Sequence, residues 1–115
     1  MAQVIRLCDR GELAEGSARG FDPFARGRDS MFIVRRNGIH AYANECPHWV
    51  DTPLPWRKDA YLNAGATRIV CSAHGAQFEI ETGLCLLGPC AGRSLKRVPL
   101  IEGEDGSLNI EVTVQ

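Results

Sequence analysis

The sequence lacks the features that mark several common classes of protein. No apolar run approaches the ~18–20 residues that a membrane-spanning helix needs. The 115 residues carry a formal net charge of only −1, so no strong field draws the chain to nucleic acid or to a membrane surface. The N-terminal segment meets charged residues too early to contain the apolar core of a signal peptide. We therefore expect a cytoplasmic protein with no nucleic-acid and no membrane partner.

Helical periodicity is also lacking, since no long stretch repeats its apolar residues every three to four positions. The apolar segments are short and are separated by turns, which is typical of a small β-sandwich or barrel. The sequence therefore predicts an all-β fold with small antiparallel sheets. Its length predicts one domain, over residues 1–115.

Three hairpins and a first strand, QVIRLC, are predicted. The hairpins join MFIVRR to IHAYA around Asn37-Gly38, AQFEIE to LCLLG around Thr82-Gly83, and SLKRVPLI to SLNIEVTV around EGEDG. In the last segment apolar side chains from Leu108 to Val114 alternate with polar ones, as in a half-buried strand. Residues 50–66 contain two prolines, Pro53 and Pro55, and are predicted to form a long irregular connection.

Groups typical of a hydrolytic or transfer enzyme are missing as well. The sequence offers no serine or cysteine nucleophile with a convincing base, no paired catalytic carboxylates and no phosphate-binding loop. We expect no catalysis by this chain alone, and an electron-transfer component of an oxidoreductase system is the better interpretation.

Cysteine and histidine are few but are placed together. Of five cysteines and three histidines, Cys46 and His48 form a C-x-H pair, and Cys71 and His74 form a C-x-x-H pair 22 residues further on. An odd number of cysteines in a reducing compartment argues against a disulfide framework and favours metal binding. Thiolates suit zinc or an iron–sulfur cluster, and imidazole suits both. One thiol and one imidazole in each turn would also suit a binuclear cluster, with both cysteines on one iron and both histidines on the other.

These motifs resemble those of the Rieske [2Fe-2S] family. CPH followed by CSAHGAQFEIETG is similar to the pattern C-x-H…C-x-x-H-G-x-x-F with its following T/S-G turn, and GPCAGRSLKRVPL resembles the family's Gly-Pro loop. The resemblance runs from about residue 30 to residue 101. It implies a Rieske-type β-sandwich with a two-loop subdomain that binds one [2Fe-2S] cluster.

The resemblance also implies a role for each motif residue. Cys46 and Cys71 would bind the buried iron, and His48 and His74 would bind the outer iron near the surface. Three neighbouring residues would line the cluster: Gly75, which would let the backbone pass close to it, and Gly88 and Pro89, which would cover it.

Several differences separate the chain from the membrane-anchored branch of the family. The extra cysteines of that branch correspond to Asp51 and Ala73, and its hydroxyl-bearing residues correspond to Ala76 and Phe78. The sequence therefore resembles the soluble, ferredoxin-like branch. That branch includes ferredoxins of dioxygenase systems and small subunits of assimilatory nitrite reductase.

Three functions remain open from the sequence. The first is a one-electron carrier that passes electrons from a flavin reductase to an oxygenase or a similar redox partner. The second is a small or regulatory subunit bound to the large subunit of a reductase such as nitrite reductase. The third is a zinc-stabilised interaction module, which the same donor types would allow.

The remaining candidate residues are given simpler roles. Cys8 and Cys85 are predicted to be small buried hydrophobes, and Cys90 to lie near the metal without binding it. His40 is predicted to be a surface residue. Two tryptophans, Trp49 and Trp56, suit either docking or loop packing. Two basic residues, Arg57 and Lys58, are either simply solvated or steer an acidic partner.

Overall fold

A computed structural model describes residues 2–47, 53–55, 57–72, 75–88 and 92–113. Within these ranges the only helix is a single 3-10 turn, Arg10–Glu12, so the all-β prediction is confirmed. The strands are β1 (Ala2–Asp9), β2 (Ser17–Phe21), β3 (Met31–Arg35), β4 (Ile39–Ala43), β5 (Arg68–Cys71), β6 (Ala76–Glu79), β7 (Cys85–Leu87), β8 (Ile101–Glu102) and β9 (Ser107–Thr113). A helix long and apolar enough to cross a bilayer is not found in the described part of the chain.

The strands form three antiparallel sheets of three strands each. Their orders are β1-β9-β8, β2-β3-β4 and β5-β6-β7. The first sheet joins the two ends of the described chain, and the third contains Cys71 of the second Cys/His motif.

Strand β3 lies between two hydrophobic cores, because successive side chains of a strand point to opposite faces. Phe32 and Val34 pack into the core that contains Cys46 and Cys71 of the two Cys/His motifs, which we call the motif core. Met31 and Ile33 pack into the other, which we call the base core because it contacts the sheet of β1 and β9. All four side chains are buried, which accounts for the unbroken apolar run MFIV.

Two of the predicted hairpins form as expected. Strands β3 and β4 pair from Met31 opposite Ala43 to Arg35 opposite Ile39. Asn37 and Gly38 both have positive φ, at 51° and 118°, as the tightest hairpin turns require. Strands β6 and β7 pair across the turn that contains Thr82 and Gly83.

The third hairpin is shorter than predicted. Of the segment SLKRVPLI only Ile101 belongs to a strand that pairs with β9, and Glu102 completes that strand. Residues 96–98 instead lie along β4, where the amide of Ala43 donates to Lys96 and the amide of Val98 donates to Ala41. Pro99 has no amide to donate, so the chain leaves β4 there and reaches β9 only at Ile101.

Strand β2 was missed by the sequence analysis. Its sequence SARGF has neither an apolar alternation nor a run of β-branched residues. It forms because it pairs along its whole length with β3, from Ser17 opposite Arg35 to Phe21 opposite Met31. The predicted irregular connection is confirmed over 53–55 and 57–66, where the one ladder contact is a bridge between Leu62 and Ile69.

Candidate metal centre

The first motif begins where β4 ends. Asn44 holds this loop in place: its amide donates to the carbonyl of Ser30 at 3.0 Å, and its side-chain nitrogen donates to the carbonyl of Asp29 at 3.0 Å. Its side-chain oxygen accepts the amide of Leu54 at 2.9 Å, which ties the far side of the loop back to its beginning. Cys46, two residues after Asn44, is wholly buried.

The second motif lies in the turn between β5 and β6. Cys71 ends β5 and pairs with Ala76, and the amide of Gly75 donates to the Cys71 carbonyl at 2.8 Å. Gly75 has a φ of 71°, while a Cβ at this position would meet no atom of the described residues within 4 Å. Within the protein itself, glycine is therefore favoured by the backbone conformation rather than by a close contact.

The two motif loops are bonded to each other. The amide of Ser72 donates to the carbonyl of Leu54 at 2.8 Å, so the residue after Cys71 is joined to the end of the first loop. Leu54 is itself wholly buried in the motif core. Because Leu54 bonds both Asn44 and Ser72, a single residue sets the spacing of the two loops.

A third segment closes around the same region. Gly88 has a φ of 109°, and a Cβ there would lie 2.8 Å from the Cα of Ala76. The end of β7 therefore approaches β6 as closely as only glycine allows. Further on, Arg93 donates from its guanidinium to the carbonyl of Pro47 at 3.2 Å, and so bonds the residue that follows Cys46.

The two motif cysteines belong to the same core. Cys46 and Cys71 are both wholly buried in the motif core, which also contains Ala76 and Phe78. They come from loops that are cross-linked by backbone hydrogen bonds, and Gly88 covers the same strand end. Two buried thiols, each a few residues from an imidazole in the sequence, form a donor set that fits a [2Fe-2S] cluster.

Several predicted site residues lie outside the described residues. These are His48, His74, Pro89 and Cys90, together with Trp49, Asp51, Trp56 and Ala73. The roles given to them remain predictions. Among the residues that are described, no group of three or more potential metal ligands is found.

The other described cysteines behave as small hydrophobes, as predicted. Cys8 is buried in the base core, and burial raises the pKa of its thiol, which keeps it protonated and unreactive. Cys85 is buried in the motif core on β7, and its thiol donates to the carbonyl of Leu87 at 3.4 Å. Within the described chain, none of the cysteines forms a disulfide.

Two simpler predictions need correction. His40 is half-buried rather than exposed, and its Nε2 atom is buried without a hydrogen-bond partner among the described residues. Lys58 is not simply solvated, because its ammonium lies 2.6 Å from the Asp29 carboxylate and donates to the carbonyl of Gly20 at 3.1 Å. Both differences come from tertiary neighbours, which the sequence near these residues does not reveal.

Tyr61 was missed as a residue near the site. It lies in the irregular connection, is wholly buried, and stacks on Phe32 with ring centroids 4.1 Å apart. Burial, with the nearby carboxylates of Asp29 and Asp59, raises the pKa of its hydroxyl. The signal in the sequence was an aromatic residue, Tyr61, placed after the two prolines and before the second motif. Asn44, directly before the first motif, was equally visible as a residue that bonds nearby backbone.

Comparisons with known proteins agree with this geometry. The model of the Rieske [2Fe-2S] domain family matches residues 3–103. A search of curated proteins found no match. One similar solved structure is the ferredoxin of carbazole 1,9a-dioxygenase from Nocardioides aromaticivorans IC177, with a TM-score of 0.68 and 21% identity over 94% of this chain and 96% of that one.

Two other structures share the fold. A chain from a complex of reduced oxygenase and oxidized ferredoxin in carbazole 1,9a-dioxygenase has a TM-score of 0.68 and 19% identity, over 93% of this chain and 91% of that one. A protein described as an NADH-dependent nitrite reductase small subunit, from Mycobacterium tuberculosis, has a TM-score of 0.66 and 15% identity, over 100% of this chain and 99% of that one. At these identities the structures establish the shared fold.

The chain belongs to the Rieske [2Fe-2S] domain family, because the family model covers most of its length. Its cofactor is therefore a [2Fe-2S] cluster, as the two Cys/His motifs predicted. The zinc-stabilised module, the third function left open by the sequence, loses its support.

Proposed function

We propose that this Rieske protein is a cytoplasmic one-electron carrier, formed by a single domain over residues 1–115, which passes electrons from a reductase to an oxygenase or a similar redox partner. The observation that carries the proposal is that Cys46 and Cys71 are wholly buried in one core and come from loops that are joined by a backbone hydrogen bond. In this proposal the chain carries electrons through its cluster, and its partner performs the catalysis.

Within the proposal, the four motif residues have distinct roles. Cys46 and Cys71 bind the inner iron as thiolates, and His48 and His74 bind the outer iron. A Rieske cluster exchanges one electron, and neutral imidazoles in place of two thiolates raise its reduction potential. The buried cysteine side of the site keeps water away, so the exchange with a partner takes place on the histidine side.

The identity of the partner is supported by the comparisons and not by this chain's own residues. Two of the similar structures are ferredoxin components of carbazole 1,9a-dioxygenase, and these favour an oxygenase as the electron acceptor. The nitrite reductase small subunit keeps a second candidate open, in which this chain is a subunit of a larger reductase.

The metal content tests the proposal most directly. We expect two irons and two acid-labile sulfides per chain, a red-brown colour, and a rhombic EPR signal that appears only after reduction. One zinc per chain and no sulfide, in protein made with adequate iron, would refute the cluster.

Histidine variants test the ligand roles. His48→Ala and His74→Ala should each abolish the cluster or destabilise it severely. His40→Ala is the matched control and should leave the EPR spectrum unchanged. An unchanged spectrum in either motif variant would show that the outer iron is held by another residue.

A purification experiment separates carrier from subunit. A diffusible carrier elutes alone at the size of its own chain, whereas a subunit co-purifies in a fixed ratio with a larger protein when both are expressed from their native genes. Capture of a stoichiometric reductase would overturn the carrier proposal and establish the second candidate.

A further inference from the structure

A cleft of about 540 Å³ opens beside the first motif loop. Its lining includes the charged residues Arg26, Arg28, Asp29, Glu45, Arg57 and Lys58. Four of these are basic and two are acidic, so the cleft is positive although the whole chain has a net charge of −1. Charged residues are therefore unevenly distributed over this protein, with an excess of positive charge in the cleft.

The positive charge that is available for binding comes chiefly from two arginines. Lys58 is already neutralised by Asp29, at 2.6 Å. Arg26 and Arg28 are exposed, and neither forms an ion pair within the part of the chain that the structure describes. An exposed guanidinium without a carboxylate partner can bind a carboxylate from another molecule through two parallel hydrogen bonds.

The loop that carries these arginines is held in shape by its own backbone. The carboxylate of Asp22 accepts the amide of Arg26 at 2.9 Å and the amide of Gly27 at 2.8 Å. These bonds lower the pKa of Asp22, so the carboxylate stays charged and bonded at neutral pH. Because the loop is already ordered, little conformational entropy is lost when the arginines bind a partner.

The first motif loop also lines the cleft. Asn44, Glu45, Pro53 and Pro55 line it, and Cys46 follows directly in the sequence. Asn44 also bonds the carbonyl of Asp29, so the arginine loop and the motif loop are joined. Whatever binds in the cleft is thereby placed against the loop that carries Cys46 and His48.

The buried side of the cleft contains an unused donor. Tyr61 lines the cleft and is wholly buried, and its hydroxyl lacks a hydrogen-bond partner within the described ranges. Burial and the nearby carboxylates of Asp29 and Asp59 raise the pKa of this hydroxyl, so it stays protonated, but the same carboxylates disfavour an anion beside it. The groups that suit an acidic ligand are therefore the exposed arginines and not Tyr61.

We propose that this cleft is the docking site for an acidic surface segment of the redox partner, with Arg26 and Arg28 as the residues that bind its carboxylates. The inference rests on the proposed electron-carrier function. A protein surface fits better than a small anion, because the two arginines are exposed while Lys58 is already paired with Asp29. Exposed charges of this kind act mainly on the rate of encounter and on its salt dependence.

Binding of a fluorescein-labelled decaglutamate peptide to the iron-loaded protein tests the site without a natural partner. We expect fluorescence anisotropy to show saturable binding at about 20 mM salt that weakens strongly at about 300 mM, because the charges are exposed and screened. The double variant Arg26→Glu/Arg28→Glu should weaken binding at least ~10-fold, and Arg26→Gln/Arg28→Gln by a smaller factor. Arg36→Glu, at the opposite end of β3, reverses one charge and is the control for the single variant Arg26→Glu. It should change the affinity by less than about twofold, and Arg26→Glu should weaken binding by more than that.

A second readout connects the cleft with electron transfer. Oxidation of the reduced cluster by hexacyanoferrate(III), an anion, should slow at least ~10-fold in the charge-reversal variant. Oxidation by hexaamminecobalt(III), a cation, should not slow. Far-ultraviolet circular dichroism and iron content, measured on the same samples, show that each variant is folded and loaded.

Three results would overturn the docking site. They are no peptide binding at low salt, an equal loss of affinity in Arg36→Glu, and inorganic phosphate competing with the peptide at equal affinity, which would make the cleft a small-anion site. A loaded protein that gives any of these keeps its proposed carrier function. A protein that holds zinc or no metal refutes the carrier function itself, so the two failures are distinguishable.

Discussion

The two cores on either side of β3 differ in the length of the strands that contribute to them. The base core contacts β1 and β9, strands of eight and seven residues that pair almost from end to end. The motif core lies under β5, β6 and β7, which have only four, four and three residues. In long paired strands the backbone N–H and C=O groups bond to each other across the ladder. Short strands leave loops, whose backbone groups must form hydrogen bonds with other loops.

This difference shows where the protein depends on its cofactor. The base core contains a single cysteine, Cys8, which only packs. The motif core contains both motif cysteines, and a bound cluster closes the two loops that carry them. Since metal-binding free energy in such a site is also folding free energy, we expect the motif core to lose much of its stability without the cluster and the base core to keep its own.

Replacing cysteines in the two cores should give the largest contrast. Cys46→Ser or Cys71→Ser should lose both irons and should speed amide hydrogen exchange in β5 and β6, while β1 and β9 remain protected. Cys8→Ser should keep both irons, although a buried hydroxyl costs about 1–3 kcal/mol. Metal analysis and hydrogen exchange measure both effects. Full iron in Cys71→Ser would contradict the assignment of the inner ligands.

Large-to-small replacements compare the packing of the two cores. Phe78 in the motif core and Ile33 in the base core are both wholly buried. Phe78→Ala should cost about 3–5 kcal/mol and Ile33→Ala about 2–5 kcal/mol, because each leaves a cavity. Only Phe78→Ala should also speed the release of iron to a chelator. Equal release rates in the two variants would show that the cores are coupled through β3.

Replacing two glycines, Gly88 and Gly92, distinguishes the cost of a close contact from the cost of a positive φ. Gly88→Ala must accommodate a Cβ 2.8 Å from the Cα of Ala76, whereas the Cβ of Gly92→Ala meets no atom within 4 Å in the part of the chain that the structure describes. Both have positive φ, which costs a non-glycine residue ~1–2 kcal/mol. Gly88→Ala should cost a further ~1–3 kcal/mol for overpacking. Chemical denaturation of the loaded proteins measures the difference, and a similar loss of stability in both would mean that β6 and β7 separate easily.

The smallest expected effect is on the reduction potential. Ala76 is wholly buried next to Cys71 on the paired strand and has no hydroxyl. A charge-assisted hydrogen bond is worth ~1.5–3 kcal/mol in total, and roughly half of it distinguishes the two oxidation states. Ala76→Ser should therefore raise the potential by about 30–60 mV, since ~1.4 kcal/mol is about 59 mV for one electron.

Protein-film voltammetry checks the potential of the parent and of Ala76→Ser. Ala41→Ser is the matched control in the base core and should leave the potential unchanged. We expect the parent potential in the lower, negative part of the range of about −150 to +300 mV found for Rieske centres. A parent value above about +150 mV would contradict the low-potential assignment.

Much of the fold could be predicted because its signals are local. Asn37-Gly38 specifies a tight turn by conformation alone, and the polar–apolar alternation from Leu108 to Glu111 matches the burial that the structure shows. Strand β2 and the path of residues 96–98 could not be predicted, since each is decided by a partner strand far away in the chain. Such pairing leaves no periodic pattern in the segment itself.

The sequence by itself determined the chemistry of the site. Two thiols and two imidazoles at fixed spacings limit the cofactor to a few metals, because ligand type and number are properties of the residues and not of the fold. The chain's membership of the Rieske family agrees with that limit. The resemblance implied that Gly75 lets the backbone pass close to the cluster, which stays a prediction, whereas its positive φ became known only from the structure.

Only the tertiary structure decided how the site is held and what surrounds it. Leu54 bonds both motif loops, and Asn44 ties the first loop to the segment before β3. Arg26 and Arg28 come to the same cleft as Glu45, almost twenty positions away in the sequence. The physical reason is that hydrogen bonds and charges act over a few ångströms of space, and folding brings together residues that are far apart in the chain.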